Sequence, residues 1–152
     1  IEGISRFRDL AAAEAAGYTR FDEVHWLRNE LVDDDGTMDP EHPEGLMYVD
    51  APSGGGKLLV AAMYLAPPGV HGPQFGGPDT VWHFHDYDPP MCMEDGAVPL
   101  GPASADGTCE RGVLRDRSPE MLHVWIANPA GRFEHDMNVT DEVIEATIRA
   151  FG

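Results

Sequence analysis

The longest apolar run in this 152-residue chain is LLVAAMYLA, which extends from Leu58 to Ala66 directly after Lys57. Apolar residues fill successive positions of the run, a pattern typical of a strand that is buried on both faces. A shorter run, Leu46–Val49, comes before it, and the glycine-rich segment PSGGG at 52–56 joins the two. We therefore predict a hairpin whose second strand, over 57–66, lies at the centre of a sheet.

Further elements are expected on both sides of this hairpin. Val81–His85 and Met121–Ala127 have the length and composition of strands. Ser5 is placed to cap a helix over 6–16, and Thr140 is placed to cap a helix at the end of the chain. The pattern predicts an α+β fold in a single domain over residues 1–152. Its sheet should be mainly antiparallel, either open or barrel-like, with a helix near each terminus.

Residues 86–119 are rich in proline and glycine, and they predict a long insert without regular structure. Both cysteines, Cys92 and Cys109, lie in this insert. A disulfide between them is the leading interpretation, and it would indicate an oxidising, extracytoplasmic compartment. A pair of metal-binding thiolates is the alternative, although the spacing is not that of a zinc ribbon. The chain opens on Ile1 without an initiator methionine, which we interpret as a trimmed, secreted form.

Acidic residues dominate the composition, with 27 Asp and Glu against 10 Lys and Arg, a net charge of −17. The chain therefore lacks the basic patch that nucleic acid or an anionic membrane surface would require. No apolar run reaches the ~18 residues of a membrane span. The acids are mostly dispersed, with the densest group at Asp33–Asp35, and they predict a halophilic protein that stays soluble at high salt. An ordinary acidic protein of a mesophile is the alternative interpretation.

The motif most informative about function is Trp82-His83-Phe84-His85. On a strand, His83 and His85 would share one face, with their side chains ~6.5–7 Å apart along the chain. His123 lies in the apolar strand Met121–Ala127, so pairing of the two strands would add a third imidazole. Three imidazoles are a sufficient ligand set for zinc or copper, and also for iron. The alternative is that each histidine forms local hydrogen bonds or is exposed to solvent.

Two further residues are candidates for the same site. His25 is flanked by apolar and aromatic residues and is predicted as a fourth ligand, with an ordinary buried or surface histidine as the alternative. Met63 in the central strand would favour copper if its thioether bound the ion, but methionine in an apolar strand is more often part of the core. Nearby carboxylates could bind the ion or orient a ligand; they are Asp86, Asp88, Glu94 and Asp95. The remaining histidines, His42, His71 and His135, are expected to be solvated.

The segment from Gly77 to His83-Phe84-His85 resembles the opening of the first cupin motif. Cupins are small β-barrels in which an HxH pair, a glutamate and a later histidine hold a metal ion. Here Pro89 and Pro90 occupy the place of that glutamate. The resemblance implies a mononuclear metal site, and it leaves the carboxylate ligand without a counterpart.

The chain also resembles an uncharacterised group of small, often secreted prokaryotic proteins. The matching segments are His25-Trp26, Met38-Asp39-Pro40, 43–48, 58–64, and the pair LHVW at 122–125 and NPAGRF at 128–133. Met63 stands where that group carries a glutamate. The resemblance supports His25 and His123 as site residues and names no reaction.

The sequence therefore supports a metal-binding extracytoplasmic domain as the leading hypothesis. A cupin-like mononuclear metalloenzyme, an oxygenase or an isomerase, is the first alternative. A structural or interaction module without metal is the second, in which the aromatic residues form a core and the histidines are incidental.

Overall fold

The computed structural model describes residues 2–32, 38–94 and 97–152, and two antiparallel sheets dominate them. In chain order the elements are a 3₁₀ helix Glu2–Arg8, α1 Leu10–Ala15, β1 Thr19–Arg20, β2 His25–Leu27, α2 Asn29–Val32, β3 Gly45–Asp50, β4 Lys57–Leu65, a 3₁₀ helix Gly77–Asp79, β5 Asp86–Glu94, β6 Val98–Pro102, β7 Val113–Arg117, β8 Met121–Trp125 and α3 Asp141–Phe151. The predicted α+β class is confirmed. Within the described residues the sheets do not close into a barrel. The barrel-like alternative is therefore wrong, and the sheets are open.

The large sheet has the strand order β1-β2-β3-β4-β8. The hairpin predicted at its centre is β3 and β4, and β4 pairs with β3 on one side and β8 on the other. Residues 59–65 of β4 are all buried, because both faces of the strand are covered. The predicted central strand is therefore confirmed.

The two faces of this sheet carry different clusters. On one face, side chains such as Leu46 and Tyr48 pack against Ile4 and Phe7 of the N-terminal 3₁₀ helix. The Tyr48 hydroxyl donates to the Phe7 carbonyl at 2.7 Å and so ties the helix to the sheet. The opposite face carries Trp125, which packs with apolar residues of β3, β4 and α3. Side chains two residues apart share a face, so His123 lies on the Trp125 face.

Residues 86–119 contain a second sheet, of order β6-β5-β7, where the sequence predicted irregular structure. That prediction was wrong. Pro89 and Pro90 do not break β5, because they fall where its pairing with β7 shifts register between Asp86 and Met91. Proline removes a backbone donor, and a register shift is a place where that donor is not needed.

The predicted disulfide joins Cys92 in β5 to Cys109, with a Cα–Cα distance of 5.6 Å. Because both sulfur atoms are in the disulfide, neither is a thiolate that could bind a metal ion, and that alternative is wrong. A disulfide of this kind indicates an oxidising, extracytoplasmic environment. Among the described residues, no helix combines the length and the apolar character that a bilayer crossing requires.

Of the two predicted terminal helices, the structure splits the first and confirms the second. The helix predicted over 6–16 is split, because Asp9 is extended and its carboxylate accepts from Ala11 N at 3.1 Å to begin α1. Ser5 does not cap that helix; its hydroxyl donates to the Glu2 carbonyl. The C-terminal helix is confirmed, with Thr140 as its N-cap. The acidic group Asp33–Asp35 lies outside the described residues.

Candidate metal centre

Three histidines, His83, His85 and His123, converge beside the large sheet. One ring nitrogen from each lies within 4.8 Å of those of the other two. The ring centroid of His83 is 5.1 Å from that of His85 and 4.6 Å from that of His123. The convergence predicted from the sequence is therefore observed, and these three residues could hold a metal ion.

Backbone hydrogen bonds place the HxH segment, although it is not the strand predicted over 81–85. His83 forms an isolated bridge with Met121: its N donates to the Met121 carbonyl at 3.0 Å, and Met121 N donates back at 2.7 Å. Met121 is the first residue of β8, so after this bridge His85 lies next to the residues that come before the strand. The His85 N donates to the Ser118 hydroxyl at 3.0 Å, and Ser118 N donates to the His85 carbonyl at 2.9 Å.

His123 enters the site from β8, where it lies opposite Met63 of β4. It is fully buried. Its ring centroid lies 6.3 Å from that of Trp125, which is also fully buried on the same face. Because the His123 imidazole is shielded from solvent, it must remain neutral or bind a cation.

The imidazoles of this cluster carry buried nitrogens without hydrogen-bond partners. They are His83 Nε2, His85 Nε2 and both ring nitrogens of His123. A buried polar atom left unpaired costs about 1–3 kcal/mol, so a group of them in one place indicates an absent partner. His83 Nδ1 lies 3.4 Å from the Val81 carbonyl, which leaves Nε2 as the free lone pair if Nδ1 carries the proton.

Burial also sets the charge state of the cluster. It lowers the pKa of His83 to about 4, and burial together with the neighbouring imidazoles lowers the pKa of His123 to about 2. Burial lowers the pKa of His85 as well. The three rings are therefore neutral near pH 7, which is the form that binds a metal ion.

His25 lies next to the cluster, as its prediction requires. Its ring centroid is 6.2 Å from that of His123, and its Nε2 is buried without a partner. Asp22 Oδ2 holds its Nδ1 at 2.8 Å, an arrangement that orients metal-binding histidines. His25 is not part of the group within 4.8 Å, so its role as a ligand stays a prediction. Asp22 was not singled out from the sequence; its place three residues before a candidate ligand was the available signal.

His135 was predicted to be solvated, yet it lies beside the cluster. Its ring centroid is 5.8 Å from that of His83, although 60% of its side chain is exposed. Trp125 brings this segment close, because its indole Nε1 donates to the Glu134 carbonyl at 2.7 Å. A contact of this kind depends on how an irregular segment packs and leaves no pattern in the sequence, so the proximity of His135 to His83 could not be predicted.

Met63 occupies a different environment from the imidazoles. It packs in an apolar cluster with Leu27, Leu65 and Met121. Its side chain crosses Gly45 so closely that a Cβ at residue 45 would lie 2.6 Å from Met63 Cε. These contacts favour the core interpretation of Met63, and its role as a copper ligand stays a prediction.

The remaining candidates have other partners. His42 Nδ1 lies 2.8 Å from Asp39, and His71 Nδ1 lies 2.7 Å from Glu120. Both histidines are exposed, as expected. Asp86 and Glu94 pair with arginines on the surface of the second sheet, and Asp95 lies outside the described residues. Among the described residues the candidate group contains no carboxylate.

Fold and site together define a class: an α+β protein of two antiparallel sheets with a three-histidine candidate metal centre between chain segments 83–85 and 121–125. Comparisons with protein-family models, with curated proteins and with solved structures give no match to this chain. The resemblances to cupins and to the uncharacterised prokaryotic group therefore stay predictions.

Proposed function

We propose that the protein binds one divalent transition-metal ion, zinc or copper, through His83, His85 and His123. The observation that supports this is the set of buried, unpartnered ring nitrogens that face one another in a small space. An ion accepts one lone pair from each of the three rings at once, which no local hydrogen bond does for these nitrogens. Imidazole nitrogen suits zinc and copper, and it also suits iron.

Three histidines leave a coordination position for another group. Structural zinc sites are closed by four protein ligands, whereas catalytic sites keep three and leave the fourth to water or substrate. His25, whose ring lies 6.2 Å from that of His123, is placed to close the site. With His25 bound, the centre serves storage, transport or structure; without it, the centre has an open position.

The direct test is the metal content of protein purified without a histidine tag and without added metal. Elemental analysis should show close to one transition-metal ion per chain. Addition of Co²⁺ to EDTA-treated protein should then give the visible d–d bands of a nitrogen-bound ion. Protein that contains no metal and shows no Co²⁺ bands would support the module without metal.

An enzyme is the second candidate function, because a pocket adjoins His85 and His25. A mononuclear metalloenzyme, such as an oxygenase or an isomerase, needs room for a substrate beside an open coordination position. The absence of a carboxylate from the described candidate group separates this site from the cupin pattern, in which a glutamate is a ligand.

A further inference from the structure

A pocket of about 220 Å³ lies between the two sheets next to the candidate metal centre. Its lining includes His85, one of the three cluster residues, and the Asp22–His25 pair. The rings of His85 and His25 lie 6.3 and 6.2 Å from that of His123, so this polar part of the lining adjoins the proposed ion. The pocket and the candidate metal centre therefore have His85 in common.

The rest of the lining is mainly apolar. Met63, Leu65 and Met121 contribute from the large sheet, and Met93 contributes from β5. Unbranched methionine side chains adapt to different apolar shapes, which suits a binding surface. Small-molecule sites have this composition: apolar walls with a few convergent polar groups that fix the ligand's orientation.

We infer that this pocket binds a small molecule with an apolar body and one oxygen-donor head group that reaches the metal ion. The inference rests on the proposed metal function. An apolar cavity of about 150 Å³ accommodates benzene, so the volume here suits roughly nine heavy atoms. The apolar body lies among the methionines, and the head group lies at the His85 end. The ligand class is therefore a small aromatic or branched molecule that ends in an acid, a phenol or a related oxygen donor.

Two hydroxamates provide a matched pair of probes. Benzohydroxamate and acetohydroxamate have the same metal-binding head group, and only the first has an apolar body of the required size. Zinc-loaded protein should bind benzohydroxamate at least tenfold more tightly, because burial of a ring of that size is worth about a factor of ten or more. Calorimetric titration measures both affinities.

A variant that fills the pocket tests the location. Ala97 is a buried residue of the lining, and Ala97→Leu should reduce the preference to less than threefold while the metal content stays at one ion. Ala12→Leu makes the same change on the exposed side of α1 and should leave the preference unchanged. Removal of zinc with EDTA should weaken benzohydroxamate binding at least tenfold.

The outcomes separate the two proposals. Protein that binds neither zinc nor copper overturns the proposed function before any hydroxamate is added. Zinc-loaded wild-type protein with equal affinities for the two probes overturns the pocket inference alone, and this comparison does not depend on any variant. Benzohydroxamate binding that is unaffected by EDTA, or a preference that folded, zinc-loaded Ala97→Leu retains, overturns it as well.

Discussion

Replacement of His85 by alanine isolates the contribution of one imidazole to the proposed metal centre. The backbone of His85 is held by Ser118 through its N and its carbonyl, so the substitution leaves both hydrogen bonds in place. The side chain is only partly buried, and its removal should not unfold the protein. The variant therefore tests ligation with little disturbance of the fold.

The size of the effect follows from the number of ligands. Zinc binding to four-ligand structural sites is worth about 10–16 kcal/mol, or about 2.5–4 kcal/mol for each ligand. Loss of one imidazole should thus weaken zinc binding by roughly 10²–10³-fold, since 1.4 kcal/mol is a factor of ten. Competition with a chromophoric chelator at pH 7.5 measures the affinity.

His42→Ala is the matched control, because His42 pairs with Asp39 on the surface. It should bind zinc as the wild type does, and so should His71→Ala. If folded His85→Ala keeps one zinc ion with an affinity within threefold of the wild type, the assignment of His85 as a ligand is wrong.

Three further predictions address charge and cross-linking. In EDTA-treated protein the free energy of unfolding should fall between pH 7.5 and 5.5, because histidines of the unfolded chain bind protons near pH 6.5 while His83, whose pKa is about 4, stays neutral. Urea unfolding at the two pH values measures this, and an equal fall in His83→Gln would contradict it. Denatured, unreduced protein should show no free thiol, and reduction of Cys92–Cys109 should lower the free energy of unfolding by about 3 kcal/mol; two titratable thiols before reduction would reject the disulfide. The thermal midpoint should rise from 0.1 M to molar NaCl, because salt screens a net charge of −17; a flat or falling midpoint would refute the halophilic interpretation.

Hydrophobic pattern was sufficient to predict three of the five strands of the large sheet, β3, β4 and β8, but not β1 and β2. The run over 57–66 predicted β4, and the apolar segment around His123 predicted β8, because a strand buried on both faces needs consecutive apolar residues. Thr140 was enough to predict α3, since a helix N-cap is a local feature of the sequence.

Features that depend on distant contacts could not be predicted in the same way. The second sheet contains Pro89, Pro90, Pro99 and Pro102, which local propensity assigns to loops. Pro89 and Pro90 fall at the register shift between β5 and β7, and Pro99 and Pro102 lie in β6, which is an edge strand of the second sheet. The spacing of His83 and His85 predicted their convergence even though their segment forms only a single bridge.

The order of the cross-links along the chain has a consequence for the architecture of the molecule. The second sheet, β5 to β7, lies entirely within residues 86–117, so a metal ion held by His85 and His123 would close a loop around all of it. The disulfide Cys92–Cys109 closes a shorter loop inside the same segment. The disulfide restricts this segment in the unfolded chain as well, whereas the ion would close its longer loop only when the chain folds and brings the histidines together. The second sheet would thus be held by two cross-links, a reversible one through the metal ion and a covalent one through the disulfide.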